Sequence, residues 1–158
     1  MAEGPVRSAG RDFEWRVTKY IEGLLKELKI SDKLIVFRDY DVRGFAGTNY
    51  KVDIVVQDKY EGEIRVIMEC ATINEDIRNA YQYFDKMARD YTKLSDILRY
   101  LRNKVSNLEA FEVVNRPALE WESPKVDYKL LFGTIGVNYV VFDKNGCKNI
   151  AEAFSRLF

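Results

Sequence analysis

The spacing of apolar residues divides the chain into helical and extended segments. Apolar residues first recur every three or four positions, which predicts an amphipathic helix over Arg11–Lys29. Alternating or nearly continuous apolar runs then predict three strands, at Leu34–Val42, Tyr50–Gln57 and Glu63–Ala71. The loop Arg43–Asn49, with two glycines, joins the first two strands.

The second and third strands differ in pattern. The second alternates, and its faces are predicted to carry Val52, Ile54 and Val56 on one side and Lys51, Asp53, Val55 and Gln57 on the other. The third is apolar at nearly every position. A strand that is apolar on both faces belongs in the middle of a sheet that is covered on both sides.

A seven-residue repeat of apolar residues follows the third strand. One position of the repeat holds Ile77, Phe84, Tyr91, Leu98 and Val105, and the position three residues later holds Ala80, Met87, Leu94, Leu101 and Leu108. This repeat predicts a long helix over about residues 75–109.

The second half of so long a helix needs a surface to pack against. We expect a homodimer whose interface contains Leu94, Leu98, Leu101 and Val105. Two alternatives place the same half inside one chain. In the first, the segment from Phe111 to Trp121 folds back onto the helix. In the second, two helices with a kink near Thr92 share one core.

The C-terminal third alternates again between extended and helical patterns. Two strands are predicted at Tyr128–Phe132 and Val137–Phe142, followed by a helix over Asn149–Phe158. The prolines within Phe111–Val126 predict an irregular surface segment there. We expect residues 1–10 to be a flexible tail and residues 11–158 to form a single α/β domain.

Composition excludes many kinds of chemistry. The 158 residues include 25 Lys+Arg, 25 Asp+Glu and no histidine. Histidine-dependent hydrolysis and imidazole-bound zinc are therefore excluded, and zero net charge gives no global attraction for phosphate. The two cysteines lack CxxC spacing, and the chain has neither an apolar signal core nor a membrane-spanning apolar run. We expect a cytoplasmic protein with no membrane contact.

Three carboxylates occupy positions where burial would make them costly. Asp53 interrupts an apolar strand, Glu69 ends the next one, and Glu14 lies at the border of the apolar stripe of the first helix. If the two strands form a hairpin, Asp53 and Glu69 project at the same end of the sheet. Such oxygen ligands suit Mg²⁺ or Mn²⁺, so we predict that Asp53 and Glu69 bind a metal ion.

These residues resemble the PD-(D/E)xK, or restriction-endonuclease-like, nuclease superfamily. The resemblance is carried by Gly10-x-x-Phe13-Glu14-x-x-Val17, Val52-Asp53-Ile54-Val55 and Ile67-Met68-Glu69-Cys70-Ala71. Within the superfamily, the pattern is most similar to archaeal Holliday-junction resolvases. It implies a central mixed β-sheet flanked by helices, with Asp53 and Glu69 as metal ligands and Glu14 as the first-helix acid. The implied activity is metal-dependent cleavage of DNA phosphodiesters.

One position departs from the family pattern. Ala71 stands where the family places a lysine that positions water and neutralises charge. Lys51, on the same strand as Asp53, is the candidate replacement, and Arg65 and Arg78 are further candidates. The alternative function is a catalytically inactive nuclease-fold module that binds nucleic acid or a protein partner and dimerises through its long helix.

Basic residues suggest where nucleic acid would bind. A first basic cluster contains Arg38, Arg43 and Lys51, around the loop that leads into the Asp53 strand, and we predict that Arg38, Arg43 and Asn49 contact DNA. A second basic cluster contains Arg99, Arg102 and Lys104. Charged helix faces are usually only solvated, so the first cluster is the stronger candidate.

Overall fold

A mixed sheet of five strands lies at the centre of the fold. The structure is a computed structural model that describes residues 9–72, 80–116 and 126–157. The elements in chain order are α1 (Ala9–Glu27), β1 (Leu34–Arg43), β2 (Asn49–Asp58), β3 (Ile64–Ala71), α2 (Ala80–Leu101), β4 (Glu109–Val114), α3 (Tyr128–Gly133), β5 (Asn138–Val141) and α4 (Lys148–Ser155). The predicted α/β class is confirmed, and the fold is compatible with that of a nuclease.

The strands lie in the sheet in the same order as in the sequence. Strands β1, β2 and β3 pair antiparallel, whereas β3, β4 and β5 pair parallel. A parallel pair needs a crossover connection, and α2 and α3 lie in the two crossovers of this sheet. The hairpin half of the sheet thus comes from the N-terminal part of the chain.

Two hydrophobic cores cover the two faces of the sheet. The first core packs α1 and α4 against one face, and the second packs α2 and α3 against the other. Strand β3 contributes Val66, Met68 and Cys70 to the first core and Ile67 and Ala71 to the second. This confirms that β3 is a central strand buried on both sides.

The hairpin of β1 and β2 changes faces at one position. Val52 packs in the second core but Ile54 packs in the first, although simple alternation puts them on one face. Across the hairpin, the register places Asp39 opposite Asp53, and Asp39 has a φ of 50°. The predicted alternation of β2 is therefore wrong at Asp53, because a left-handed residue inside a strand rotates the side chains beyond it.

Helix α2 is shorter than the sequence pattern predicts. It runs unbroken through Thr92 and ends at Leu101, and the chain then turns and enters β4 at Glu109. The repeat continues to Leu108, so the predicted long helix over about 75–109 is wrong at its C-terminal end. Its predicted start lies outside the described residues. The chain leaves the helical repeat because β4 pairs in parallel with β3, which buries Ala110–Val114 in the sheet.

The leucines predicted to form a dimer interface lie in the second core. Leu94, Leu98 and Leu101 are at most 6% exposed and pack within the same chain. They have no surface left for a second copy, so the predicted interface is corrected at these residues. Val105 is half-buried in the segment that follows α2.

Two further expectations for the C-terminal third are corrected. Phe111–Val114 is part of the buried strand β4, whereas residues 117–125 of the predicted irregular segment lie outside the described residues. Tyr128–Phe132, predicted as a strand, lies in helix α3. The Asp127 carboxylate caps this helix by accepting a hydrogen bond from the Leu130 N–H. The other predicted strand there, Val137–Phe142, is confirmed as β5.

The described residues contain no helix that combines the length and apolar character needed to cross a bilayer. Cys70 and Cys147 are both buried as free thiols. Burial raises the pKa of both thiols, that of Cys70 well above its ordinary value.

The core position of Leu94 gives a testable prediction. We expect Leu94→Ala to lower the free energy of unfolding by about 2–5 kcal/mol, because it leaves a cavity in the second core. Urea denaturation measures this loss. Leu130→Ala, at an exposed position of α3, is the control and should change stability by less than about 0.5 kcal/mol. If Leu94→Ala instead keeps the stability of the parent and has half the mass of the parent by light scattering, the result would support the predicted dimer interface.

Candidate active site

Three carboxylates from three different elements meet at the edge of the sheet. Glu14 comes from α1, Asp39 from β1 and Asp53 from β2, and one oxygen atom of each lies within 4.8 Å of the others. Among the described residues this is the group of acidic side chains close enough to share a metal ion. The sequence pattern identified Glu14 and Asp53 but not Asp39, which becomes a candidate only when the hairpin register is known.

Reciprocal hydrogen bonds between β2 and β3 hold two of the predicted acids in place. The Asp53 carboxylate accepts a bond of 2.8 Å from the Cys70 N–H. The Glu69 carboxylate accepts a bond of 2.9 Å from the Asp53 N–H. Each acidic side chain is therefore oriented by the backbone of the other strand, and the antiparallel register is what brings them together.

Glu69 is committed to hydrogen bonds within the protein. Its second oxygen lies 2.8 Å from the Lys93 ammonium, and the residue is only 2% exposed. Glu69 is not a member of the three-carboxylate group. The predicted pair of Asp53 and Glu69 is thus adjacent, but the oxygen atoms placed to share an ion belong to Glu14, Asp39 and Asp53.

The lysine that contacts Glu69 comes from α2 and not from β2. The Lys51 side chain, the predicted replacement for the lysine absent at Ala71, is 66% exposed and lies 3.8 Å from Asp41. The Lys93 ammonium instead bonds both Glu69 and the Lys51 carbonyl oxygen. Lys86 lies two turns earlier on the same helix face.

A buried ionic network links α2 to the central strands. The Lys86 ammonium lies 2.9 Å from an oxygen of Asp90. Glu112 is fully buried on β4, opposite Glu69 in the register, and within the described ranges neither of its oxygens has a hydrogen-bond partner. Burial, reinforced by the negative charge of Asp90, raises the pKa of Glu112 well above its ordinary value. The protonated form of Glu112 is therefore favoured over the ionised form relative to a solvent-exposed glutamate.

The sequence contains a signal for these residues that the apolar repeat obscured. Lys86, Asp90 and Lys93 recur at i, i+4 and i+7, which places them on one side of α2. Burial lowers the pKa of Lys86, but the charge of Asp90 outweighs it and raises that pKa above its ordinary value. Charged helix faces are usually solvated, but here the structure buries part of the stripe, and Asp90 is only 3% exposed.

The acids of the site carry more negative charge than their surroundings compensate. Burial first, and then the negative charge of Asp53 and a proton shared with it, raise the pKa of Glu14 from 4.5 to about 7. Burial and the nearby Asp53 likewise raise the pKa of Glu69 to about 8, although Lys93 opposes the shift. The pKa of Asp53 is also raised, mainly by burial. A group of carboxyls with raised pKa values is one that a cation would stabilise.

An open cavity of about 440 Å³ adjoins the acids. It lies between the first turn of α1, the end of β3 and the N-terminal half of α2. Its lining residues are Gly10, Glu14, Asp53, Cys70, Ala71, Thr72, Gln82, Asp85, Lys86 and Arg89. The cations of Lys86 and Arg89 and the carboxylates of Glu14, Asp53 and Asp85 thus line one cavity.

The predicted DNA contacts separate into two places. The Arg38 guanidinium lies 3.3 Å from the Glu14 carboxylate, beside the acids. Arg43 and Asn49 pair with each other at the end of the hairpin and belong to its tip. The structure therefore brings Arg38, but not the other two, to the three-carboxylate group.

Comparisons with known proteins concern the fold. The sequence matches no protein-family model and no curated protein sequence. A XisH family protein from Nostoc punctiforme has a similar structure, with a TM-score of 0.48 and 18% identity over 84% of this chain and 91% of that chain. A fdxN element excision controlling factor protein from Anabaena variabilis gives 0.49 and 17% over 85% and 93% of the respective chains. Similarity at this level identifies neither a function nor a site.

The raised pKa values predict how stability depends on pH. The folded chain holds protons on Glu14 and Glu69 up to about pH 7 and about pH 8, whereas their ordinary pKa is 4.5. The free energy of unfolding should therefore fall as the pH rises from 4.5 through the folded values, and then level off. Urea denaturation of the metal-free protein across this range measures the slope.

Glu14→Gln should flatten that slope, and the matched comparison is Glu22→Gln on the exposed side of α1. Mg²⁺ or Mn²⁺ should raise the melting temperature more at pH 8 than at pH 5.5, because a bound cation stabilises the ionised acids. Stability that rises steadily from pH 5 to pH 8 in the metal-free protein would contradict this assignment of protons.

Proposed function

We propose that the protein is a metal-dependent nuclease of the PD-(D/E)xK type that acts on DNA phosphodiesters. One observation carries the proposal: three carboxylate oxygens from three elements lie within 4.8 Å of one another beside a cavity that also contains Lys86 and Arg89. Phosphodiester cleavage needs both kinds of group. Acidic oxygens hold a divalent cation, and basic side chains bind the anionic substrate.

The donor set fits Mg²⁺ or Mn²⁺. Glu14, Asp39 and Asp53 offer hard oxygen ligands, and the pKa of Glu14 is raised first by burial and then by the charge of Asp53, which a bound cation would offset. These three residues would hold the ion. When bound, the ion supplies positive charge to the phosphate and promotes ionisation of a water molecule.

Glu69 acts as a positioning residue in this proposal. Its carboxylate accepts the Asp53 N–H and so fixes the strand segment that carries the Asp53 side chain. The Lys93 ammonium donates to Glu69 and ties α2 to β2 through the Lys51 carbonyl. Loss of either residue would displace Asp53 relative to Glu14 without removing a metal ligand.

Lys86 takes over the charge neutralisation that a lysine at position 71 provides in related nucleases. It lines the cavity, and its positive charge acts on Asp53. An ammonium there can contact a phosphate oxygen as negative charge develops during attack. The side chain comes from a helix rather than from the strand end, so the replacement does not follow the family's sequence spacing.

The test is a cleavage assay on labelled duplex, branched and single-stranded DNA with Mg²⁺ or Mn²⁺. We expect Asp53→Asn, Asp39→Asn and Lys86→Met each to reduce the cleavage rate by about 10²-fold or more, because each removes charge at the reacting phosphate. The matched control is Lys51→Met, which removes an exposed lysine from the same region and should retain parent activity.

Cleavage that survives both aspartate substitutions would show that a contaminant cuts the DNA. DNA binding without cleavage by the parent protein, under all metal conditions, would favour the inactive nuclease-fold module. Cleavage lost in Lys51→Met but retained in Lys86→Met would show that Lys51 of β2, and not Lys86, neutralises charge at the phosphate.

A further inference from the structure

We propose that a surface formed by Arg43, Phe45, Arg99, Tyr100 and Lys104 binds an unpaired nucleic-acid strand by base stacking. We call it the cation–aromatic surface. We also propose that it delivers this strand to the candidate active site, a second step that rests on the nuclease function proposed above.

The surface joins two basic clusters that are far apart in the sequence. The Arg99 guanidinium lies 4.7 Å from the centre of the Phe45 ring. The Tyr100 ring has Arg43 at 5.3 Å and Lys104 at 4.9 Å. The hairpin loop supplies the first basic cluster and the end of α2 supplies the second. Together they place three cations around two aromatic rings.

Phe45 is held at the surface by a rigid loop. It is 52% exposed, and its N–H donates to the Asp96 carbonyl at 3.1 Å. The Asp96 carboxylate accepts bonds from the Ala46 N–H at 3.0 Å and from the Tyr50 hydroxyl at 2.8 Å. The loop conformation is thus set before any partner binds, and a preorganised surface loses little entropy on binding.

The same loop leaves no room for a larger residue at Gly44. A Cβ atom at this position would lie 2.3 Å from an Asp96 carboxylate oxygen. Asp96 therefore contacts the loop closely from α2, and its negative charge is directed at loop donors. The side chains of Arg43, Arg99 and Lys104 lie against the aromatic rings of the surface.

The chemistry of the surface fits an unpaired strand better than a duplex. Exposed aromatic rings stack on bases, and every base has a face that can stack. In a duplex those faces are covered by neighbouring base pairs, so only the phosphates would be accessible to Arg43, Arg99 and Lys104. An exposed, fixed phenylalanine among cations is therefore specific to a partner that offers bases as well as phosphates.

The surface is connected to the candidate active site through two elements. On β2, the distance from Asn49 at the loop to Asp53 is about 13 Å, at ~3.3 Å per residue. On α2, the rise from Arg89, which lines the cavity, to Arg99 is about 15 Å. At the ~3.4 Å rise of a helical strand, these distances span about four nucleotides. A strand stacked on Phe45 is thus within a few nucleotides of the acids.

The test measures binding and cleavage separately. Fluorescence anisotropy with a labelled 20-nucleotide poly(dT) strand and a labelled 20-base-pair duplex is carried out in EDTA, so that no substrate is cut. We expect Phe45→Ala to weaken binding of the single strand about tenfold and to leave duplex binding unchanged, because it removes stacking alone. Phe45→Trp retains a stacking ring and should bind the single strand at least as tightly as the parent.

Two further variants serve as charge probe and control. Arg99→Gln should reduce the salt dependence of single-strand binding by about 0.7 in the slope of log K against log salt, as expected for the loss of one phosphate contact. Tyr60→Ala removes an exposed aromatic ring from the other hairpin turn and should leave binding unchanged. Melting temperatures verify that each variant is folded.

The outcomes separate this proposal from the nuclease proposal. Parent-like binding by Phe45→Ala overturns the stacking surface, and equal losses for single strand and duplex overturn the preference for unpaired bases. If the parent cuts no DNA but Phe45→Ala still loses single-strand binding selectively, the surface stands and the nuclease function fails. If the parent cuts, Phe45→Ala should slow single-strand cleavage about tenfold at subsaturating DNA, and an unchanged rate overturns delivery to the site.

Discussion

The buried carboxyl group of Glu69, on the central strand, organises the elements around it. Glu69 is 2% exposed, and a polar group at that depth is stable only when hydrogen-bond partners meet it. The Asp53 N–H meets one oxygen and the Lys93 ammonium meets the other. These two contacts fix the register of β2 on β3 and the position of α2 over the sheet.

The same requirement explains why α2 carries charges on its inner side. Lys86 and Asp90 form an ion pair near Glu112 of β4, which is fully buried and has a raised pKa. The helix packs with its leucines on the second core and its lysines over the acids. Removing one partner from such a network leaves an uncompensated charge, which is far more costly than losing a surface ion pair.

Asp39 shows how a local backbone feature shapes the site. Its φ of 50° occurs opposite Asp53, where the hairpin exchanges its inward and outward faces. Because of that exchange, the first half of the hairpin packs under α1 and its tip packs beside α2. The carboxylates of both residues then lie at the boundary, within reach of Glu14. The tip carries Phe45 to the end of α2, so one irregular position serves both the acids and the cation–aromatic surface.

Local sequence patterns were sufficient to predict the periodic elements and the acids that interrupt them. Helix α1, strands β1 to β3 and the positions of Glu14, Asp53 and Glu69 could be predicted because burial imposes a helical or strand period. The role of Lys93, the participation of Asp39 and the end of α2 at Leu101 could not. Each depends on contacts between residues distant in the chain, which no local period records. The packed fold was needed to show that Lys93 is the cation that contacts Glu69. A strand motif places its lysine at a set spacing from the acid, whereas a helix packed on the sheet can supply a lysine from any of its positions that face the sheet.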